Sequence, residues 1–181
     1  ITAGKVGAYA AYSATYAAGA NVENGILATI GGAPISINSL RFNAANTVTL
    51  DATAGLTVAS GGVLMTPTVG ANSVTIQGGT ITSGNGTDLI LHQWNSNAAA
   101  YLAVASKITG NIGLTKVGYG TVILKNGAND FTGTVNVGGT GGIFVSPTVL
   151  PTWIPNGSEI PRRGRCFSAG DPNERRLPCD A

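Results

Sequence analysis

Few side chains in this sequence are equipped for chemistry. His92 is the single histidine, set in Leu91-His92-Gln93-Trp94, and the chain up to Val145 carries four carboxylates, Glu23, Asp51, Asp88 and Asp130. Paired carboxylates would serve glycoside hydrolysis, and carboxylates holding a calcium ion near a base would serve polysaccharide cleavage. A repeat offset set out below places Asp88 level with Gly62 and not with Asp51, so the acids are not expected to line one face. One histidine without cysteine or carboxylate neighbours is a poor metal site, and no G-x-S-x-G elbow presents a serine nucleophile. Gly84-Asn85-Gly86-Thr87-Asp88 has the composition of a glycine–aspartate calcium turn but lacks the nonapeptide repeat, so it reads as a polar corner. Asn85-Gly86-Thr87 and Asn156-Gly157-Ser158 match the glycosylation sequon. The expectation is therefore no catalytic residue, no cofactor and no metal. Binding remains: Trp94 and Tyr119, with Tyr101 and Trp153, could form a strip on which sugar rings stack, and local packing is the plainer role.

The elements that must position these side chains are short strands. Runs of three to five Val, Ile, Leu and Thr residues recur from Ile26, among them Thr47–Leu50, Leu56–Ala59, Val63–Met65, Val74–Ile76 and Leu89–Leu91. Corners such as Gly61-Gly62 and Gly78-Gly79 separate them. No helical segment of ten residues interrupts them, which excludes a doubly wound α/β fold. Asn46-Thr-Val-Thr-Leu50 is echoed 26 positions later by Asn72-Ser-Val-Thr-Ile76, and Gly62–Met65 by Asp88–Leu91 at the same offset. An offset held across two elements marks a repeat. Three strands per turn of roughly 20–27 residues is the parallel β-helix pattern, each turn burying its face against its neighbours. Val48, Leu50, Val74, Ile76, Leu89 and Leu91 should then stack inward at about 4.8 Å per turn. An antiparallel sandwich is the alternative, but hairpin signals are weak.

The ends differ from this body. In residues 1–25, read as a cap or adaptor, Tyr9, Tyr12 and Tyr16 fall on one face of a short helix with Gly19 as its C-cap, and YSATY also fits a strand. Residues 26–145 are read as the β-helix. Residues 146–181 hold six of the eight prolines and five arginines, which should stop regular strands near Ser146. Cys166 and Cys179, both in this irregular tail, are a candidate disulfide, and two reduced thiols are the alternative. The chain starts at Ile1 without a leader, as a processed export substrate or a trimmed piece would.

Composition narrows the partners. Charged residues are 10% against 43% hydrophobic, the net charge is +2, and Lys5, Arg41, Lys107, Lys116 and Lys125 are scattered singly. That pattern argues against nucleic acid. No apolar run of about 18 residues offers a transmembrane helix.

The stretch Gly113–Val145 carries a resemblance. Leu114, Thr115, Lys116, Gly118, Gly120, Thr121, Leu124, Gly127, Asn129, Gly133, Thr134 and Val137 match the autotransporter passenger-associated strand repeat, with Phe131 where that family usually has Tyr. Ile37–Asn43 followed by NTVTL is similar to coils upstream of that repeat in large bacterial surface proteins. The resemblance implies a right-handed β-helix exported through the cell envelope. Two features depart from it: no translocating barrel follows, and the Pro/Arg/Cys tail is not a family feature. Independently of the family, Leu114, Val122, Leu124, Val135 and Val137 are read as core. Gly118, Gly120, Gly127 and Gly133 are read as corners of positive φ, and Asn126 and Asn129 as amides satisfying bends.

The expected function is a non-catalytic, secreted structural protein acting in adhesion, matrix or a self-assembling surface filament. Its expected partners are further copies, joined through the β-helix ends and the segment of Tyr9, Tyr12 and Tyr16, or cell-surface glycans. A carbohydrate-binding or polysaccharide-degrading β-helix, or a spacer of a longer passenger, is the alternative.

Overall fold

The computed structural model describes residues 11–25 and 28–145. The strands run, in chain order, β1 (Asn21–Glu23), β2 (Ala28–Ile30), β3 (Ile35–Ile37), β4 (Ser39–Phe42), β5 (Thr47–Val58), β6 (Gly62–Met65) and β7 (Val74–Ser83). There follow β8 (Asp88–Gln93), β9 (Tyr101–Val104), β10 (Lys107–Ile108), β11 (Gly113–Val117), β12 (Thr121–Leu124), β13 (Val135–Val137) and β14 (Ile143–Val145). Every pairing between them is parallel. The chain is a parallel β-solenoid of about five turns, and the sandwich alternative falls away.

Each turn has three legs. The first is a six-stranded sheet in the order β1-β4-β6-β8-β11-β13. The second is β2, the first half of β5, the first half of β7, β9, β12 and β14. The third is β3, the second half of β5, the second half of β7 and β10. β5 and β7 carry two legs each because both bend where their register slips, between Leu50 and Gly55. The bend needs Gly78: its φ is +72°, and a β-carbon there would strike the Leu50 carbonyl.

Alternation makes the core. Within each short strand every second side chain points inward and stacks on its equivalent one turn away. One row reads Val22, Leu40, Val63, Leu91, Lys116, Val137. Another reads Ala28, Val48, Ile76, Val104, Leu124, Val145. Val48, Leu50, Val74, Ile76, Leu89, Leu91, Leu114, Val122 and Leu124 are all buried, as the sequence leads one to expect. Each fully buried aliphatic side chain contributes roughly 1.5–3 kcal/mol of transfer free energy. Val137 is partly buried and Val135 is 39% exposed, because β13 ends its sheet and has a strand on one side only.

Three expectations need correction. The 26-residue offset is 28 in both places: Val48 lies beside Ile76, and Val63 beside Leu91. Asp88 accordingly pairs with Gly113, and Gly62 with Ile90. An error of two leaves every inward residue inward, since strand side chains repeat with period two.

The N-terminal helix is not formed over residues 11–20. Ser13 instead bridges Val22 in parallel, with its N–H donating to the Asn21 carbonyl and its carbonyl accepting from the Glu23 N–H. The Ser13 hydroxyl also accepts from the Thr15 N–H, a local bond that competes with a helical turn. The open edge of β1 outweighs helix propensity here. Regular strand thus begins at Asn21, ahead of the boundary expected at Ile26.

Of the corner glycines, Gly118 does have a positive φ of +99°, but Gly120 and Gly133 do not. Those two are glycine because backbone approaches: a β-carbon on Gly133 would lie 2.5 Å from the Gly113 nitrogen. Tyr9, Trp153, Asn156, Cys166 and Cys179 lie outside the described residues.

Candidate functional site

The outer face of the six-stranded sheet brings together side chains that are far apart in sequence. Its outward row runs Glu23, Arg41, Leu64, His92, Val117, one residue per turn. The neighbouring row contains Gly62, Ile90 and Thr115. Gly62 leaves a gap in that surface, for a β-carbon there would meet only the Ser60 hydroxyl, at 3.5 Å. The gap is the floor of an open groove of about 350 Å³, bordered by Tyr12, Ser39, Leu64, His92 and Trp94.

Trp94 is held at the corner where β8 ends. Its N–H donates to the Met65 carbonyl at 3.1 Å, and the Gln93 carbonyl accepts from the Gly120 N–H at 3.0 Å. The next turn of that corner is Gly118-Tyr119-Gly120, which sets Tyr119 directly after Trp94. The two rings meet edge to face, centroids 5.0 Å apart and planes at 81°. Both are exposed, Trp94 by 38% and Tyr119 by 55%. The sugar-stacking candidates therefore do form a pair, and the groove adjoins it. Tyr101 does not join them: it lies on β9 in the other sheet, with the Lys125 ammonium 5.2 Å from its ring.

Of the three N-terminal tyrosines, Tyr12 and Tyr16 are described, and they take different positions. Tyr12 covers the groove end, with the Arg41 guanidinium 3.5 Å from its ring centroid. Tyr16 packs against the core and donates from its hydroxyl to Asn24 Oδ1 at 3.2 Å, and burial pushes its ionisation upward.

Compared with protein-family models, with curated proteins and with solved structures, the chain matches none. The site must be read from its own chemistry.

Glu23, Asp88 and Asp130 each have a side-chain partner. Glu23 pairs with Arg41, and Asp130 with Lys107 at 2.6 Å. The Lys107 hydrogen bond, aided by Thr109, holds the Asp130 carboxyl below its usual range. Asp88 accepts from the Thr115 hydroxyl. His92 lies between Leu64 and Val117 on the sheet, and burial lowers its proton affinity, which favours the neutral ring. No cluster of three His, Cys, Asp or Glu side chains occurs among the described residues. The turn at Asn85 is filled by its own amide: Oδ1 accepts from the N–H groups of Thr87 and Asp88, and Nδ2 donates to the carbonyls of Ser60 and Asp88. It is a polar corner, and the amide that glycosylation would use is occupied.

The sequence reading missed Lys116. Counted there among scattered cations, it is fully buried in the row between Leu91 and Val137, and its Nζ donates to the Gly118 carbonyl at 2.9 Å. Parity was the available signal, because Lys116 shares the inward phase of Leu114 in Gly113–Val117. Gln93, also fully buried and opposite Gly118, offers Oε1 to the Asn95 N–H at 2.8 Å, and its Nε2 has no partner among the described residues. Burial lowers the proton affinity of Lys116 from its ordinary value near 10.5. Below that value the unfolded chain thus binds more protons than the folded one, and stability rises with pH through the window. Relative to Lys116→Met, the wild-type protein should gain stability between pH 7 and pH 10 in urea unfolding. A pH-independent difference between the two would show that the ammonium is not desolvated.

Proposed function

We propose that this protein is a non-catalytic, exported structural β-solenoid that works in adhesion through the outer face of its six-stranded sheet. The observation that carries this reading is the paired exposed rings of Trp94 and Tyr119 beside the Gly62 groove, on a rigid face whose acids are committed to structural bonds. Exposed aromatics held by backbone corners make contact area at little entropic cost. The likeness of Leu114–Val137 to an autotransporter passenger repeat supports export to the cell surface. The test is retention of the purified chain on cells and extracellular matrix. Trp94→Ala with Tyr119→Ala should abolish retention without altering the circular dichroism spectrum; undiminished retention would sink the proposal.

End-to-end assembly is a second reading, favoured by a separate observation. Among the described residues β13 and β14 each pair on one side only, and Val135 is exposed there. Unpaired strand edges template pairing with a second copy. Negative-stain microscopy and light scattering at high concentration should then find oligomers or fibres, and a clean monomer dismisses this reading.

A further inference from the structure

We infer that the groove over Gly62 binds an uncharged oligosaccharide, one or two pyranose rings lying between Tyr12 and Trp94. This rests on the adhesive reading of the same face and specifies its ligand.

Charge decides the class. Arg41 lies beside Leu64 of the groove on the sheet, paired with the Glu23 carboxylate and covered by the Tyr12 ring 3.5 Å away, and its Nε, without a hydrogen-bond partner among the described residues, is buried. Glu23 is neutralised by the same pair. His92 is flanked by Leu64 and Val117, apolar neighbours that disfavour its charged form, and Asp88 on the same strand is tied to Thr115. Lys116, on the adjacent strand, points into the core and not to this face. Among the described residues, an acidic sugar or a phosphate would find no cation at this groove without a carboxylate partner to offset its desolvation. A ligand that is itself uncharged loses nothing by this.

Shape and polarity agree. Trp94 offers an aromatic surface for the C–H face of a pyranose, and Tyr119 braces it edge-on. Around it stand hydroxyl and ring-nitrogen groups: the Ser39 oxygen, which donates to Asn21 and retains acceptor capacity, and the His92 imidazole. Alternating ring faces and hydroxyls want this mixture of apolar plate and neutral hydrogen-bonding groups. The volume of about 350 Å³ sits at the lower end of small-ligand sites, roughly 300–1,000 Å³, and suits one or two rings. An extended peptide fits less well. Strand addition needs an open edge, whereas β6 and β8 beneath the groove are hydrogen-bonded on both sides.

The test titrates the full chain calorimetrically with neutral hexamers of glucose (α- and β-linked) and of N-acetylglucosamine. Hexagalacturonate and sialyllactose serve as acidic comparators, and an unstructured polar decapeptide as the peptide comparator. At least one neutral hexamer should bind. Trp94→Ala and Gly62→Val should each weaken it tenfold or more, while Tyr101→Ala on the other sheet leaves it unchanged. Gly62→Val adds its β-carbon to the groove floor where the Ser60 hydroxyl, at 3.5 Å, is the one atom within 4 Å and φ is not positive, and an unchanged circular dichroism spectrum checks that the variant folds. Binding of the acidic sugars or the peptide alone, no binding at all, or neutral binding indifferent to both groove variants would overturn the inference. Retention on cells that depends on Trp94 and Tyr119, without any neutral-hexamer binding, removes the ligand class and leaves adhesion standing. Loss of both removes both.

Discussion

Phe131→Ala should cost about 3–5 kcal/mol, the usual range for deleting a fully buried aromatic side chain. Phe131 is among the largest completely buried side chains in the protein, yet it lies in the connection between β12 and β13 and not in a strand. That connection is laid against the turn above by backbone bonds, Asp130 N–H to the Ile108 carbonyl and Thr132 N–H to the Gly110 carbonyl. Asn129 fixes it from the side, its Oδ1 accepting from the Ile108 N–H at 2.8 Å. Where β3, β5, β7 and β10 supply strand in the third leg of earlier turns, the ring of Phe131 supplies volume in this one. Stability in a solenoid is close to a sum over neighbouring turns. The loss should therefore concentrate near the end: hydrogen exchange in β12, β13 and β14 should quicken first, while β4 and β6 keep their protection. Uniform acceleration along the whole chain would contradict this account.

Gly118→Ala should cost about 3 kcal/mol. A side chain in the left-handed region accounts for roughly 1–2 kcal/mol. The remainder comes from the new β-carbon, which would press on the Gln93 carbonyl and come within 3.3 Å of the Trp94 ring. Gly86→Ala separates the two contributions, since Gly86 has a similar φ of +75° and nothing within 4 Å. It should lose about 1–2 kcal/mol only. The Gly118 variant should also move Tyr119 away from Trp94, so its intrinsic fluorescence and its retention on cells should change, and those of the Gly86 variant should not. Equal stability losses in the two variants, by urea unfolding, would refute the close-approach argument.

How much of this was legible in the sequence differs by feature. The inward set at Val48–Leu50 and Leu89–Leu91 could be read directly, because alternation is a property of three or four consecutive residues. The turn length could not. It is 28 residues from Val48 to Ile76, 25 from Leu56 to Ile81 and 20 from Leu102 to Val122, since corners absorb insertions without disturbing the legs. The match of Asn46–Leu50 to Asn72–Ile76 was real as text and wrong as register by two. Trp94 and Tyr119 were visible as candidates, but their contact depends on the 25-residue step from Gln93 to the Gly118 position, set by corner geometry.

Lys116 illustrates a different limit. Its parity said inward and its charge said outward, and the Gly118 carbonyl decided between them. The helix expected from the tyrosine spacing is absent over residues 11–20 for a third reason. Spacing within Tyr9–Tyr16 contains nothing about the β1 edge that Ser13 joins. Tyr12, Ser39 and Gly62 were not assembled into a groove for the same cause, as they come from three different turns.

The parallel stacking of turns has a mechanical consequence. Each turn is bonded only to the ones beside it, so tension applied at the two ends strips turns in succession and does not shear the whole body at once. A released turn of 18 to 28 residues lengthens the thread by roughly 60–100 Å at 3.3–3.6 Å per residue. A molecule tethered at one end and gripped along its side would yield in such steps under flow, and would rewind when the load drops.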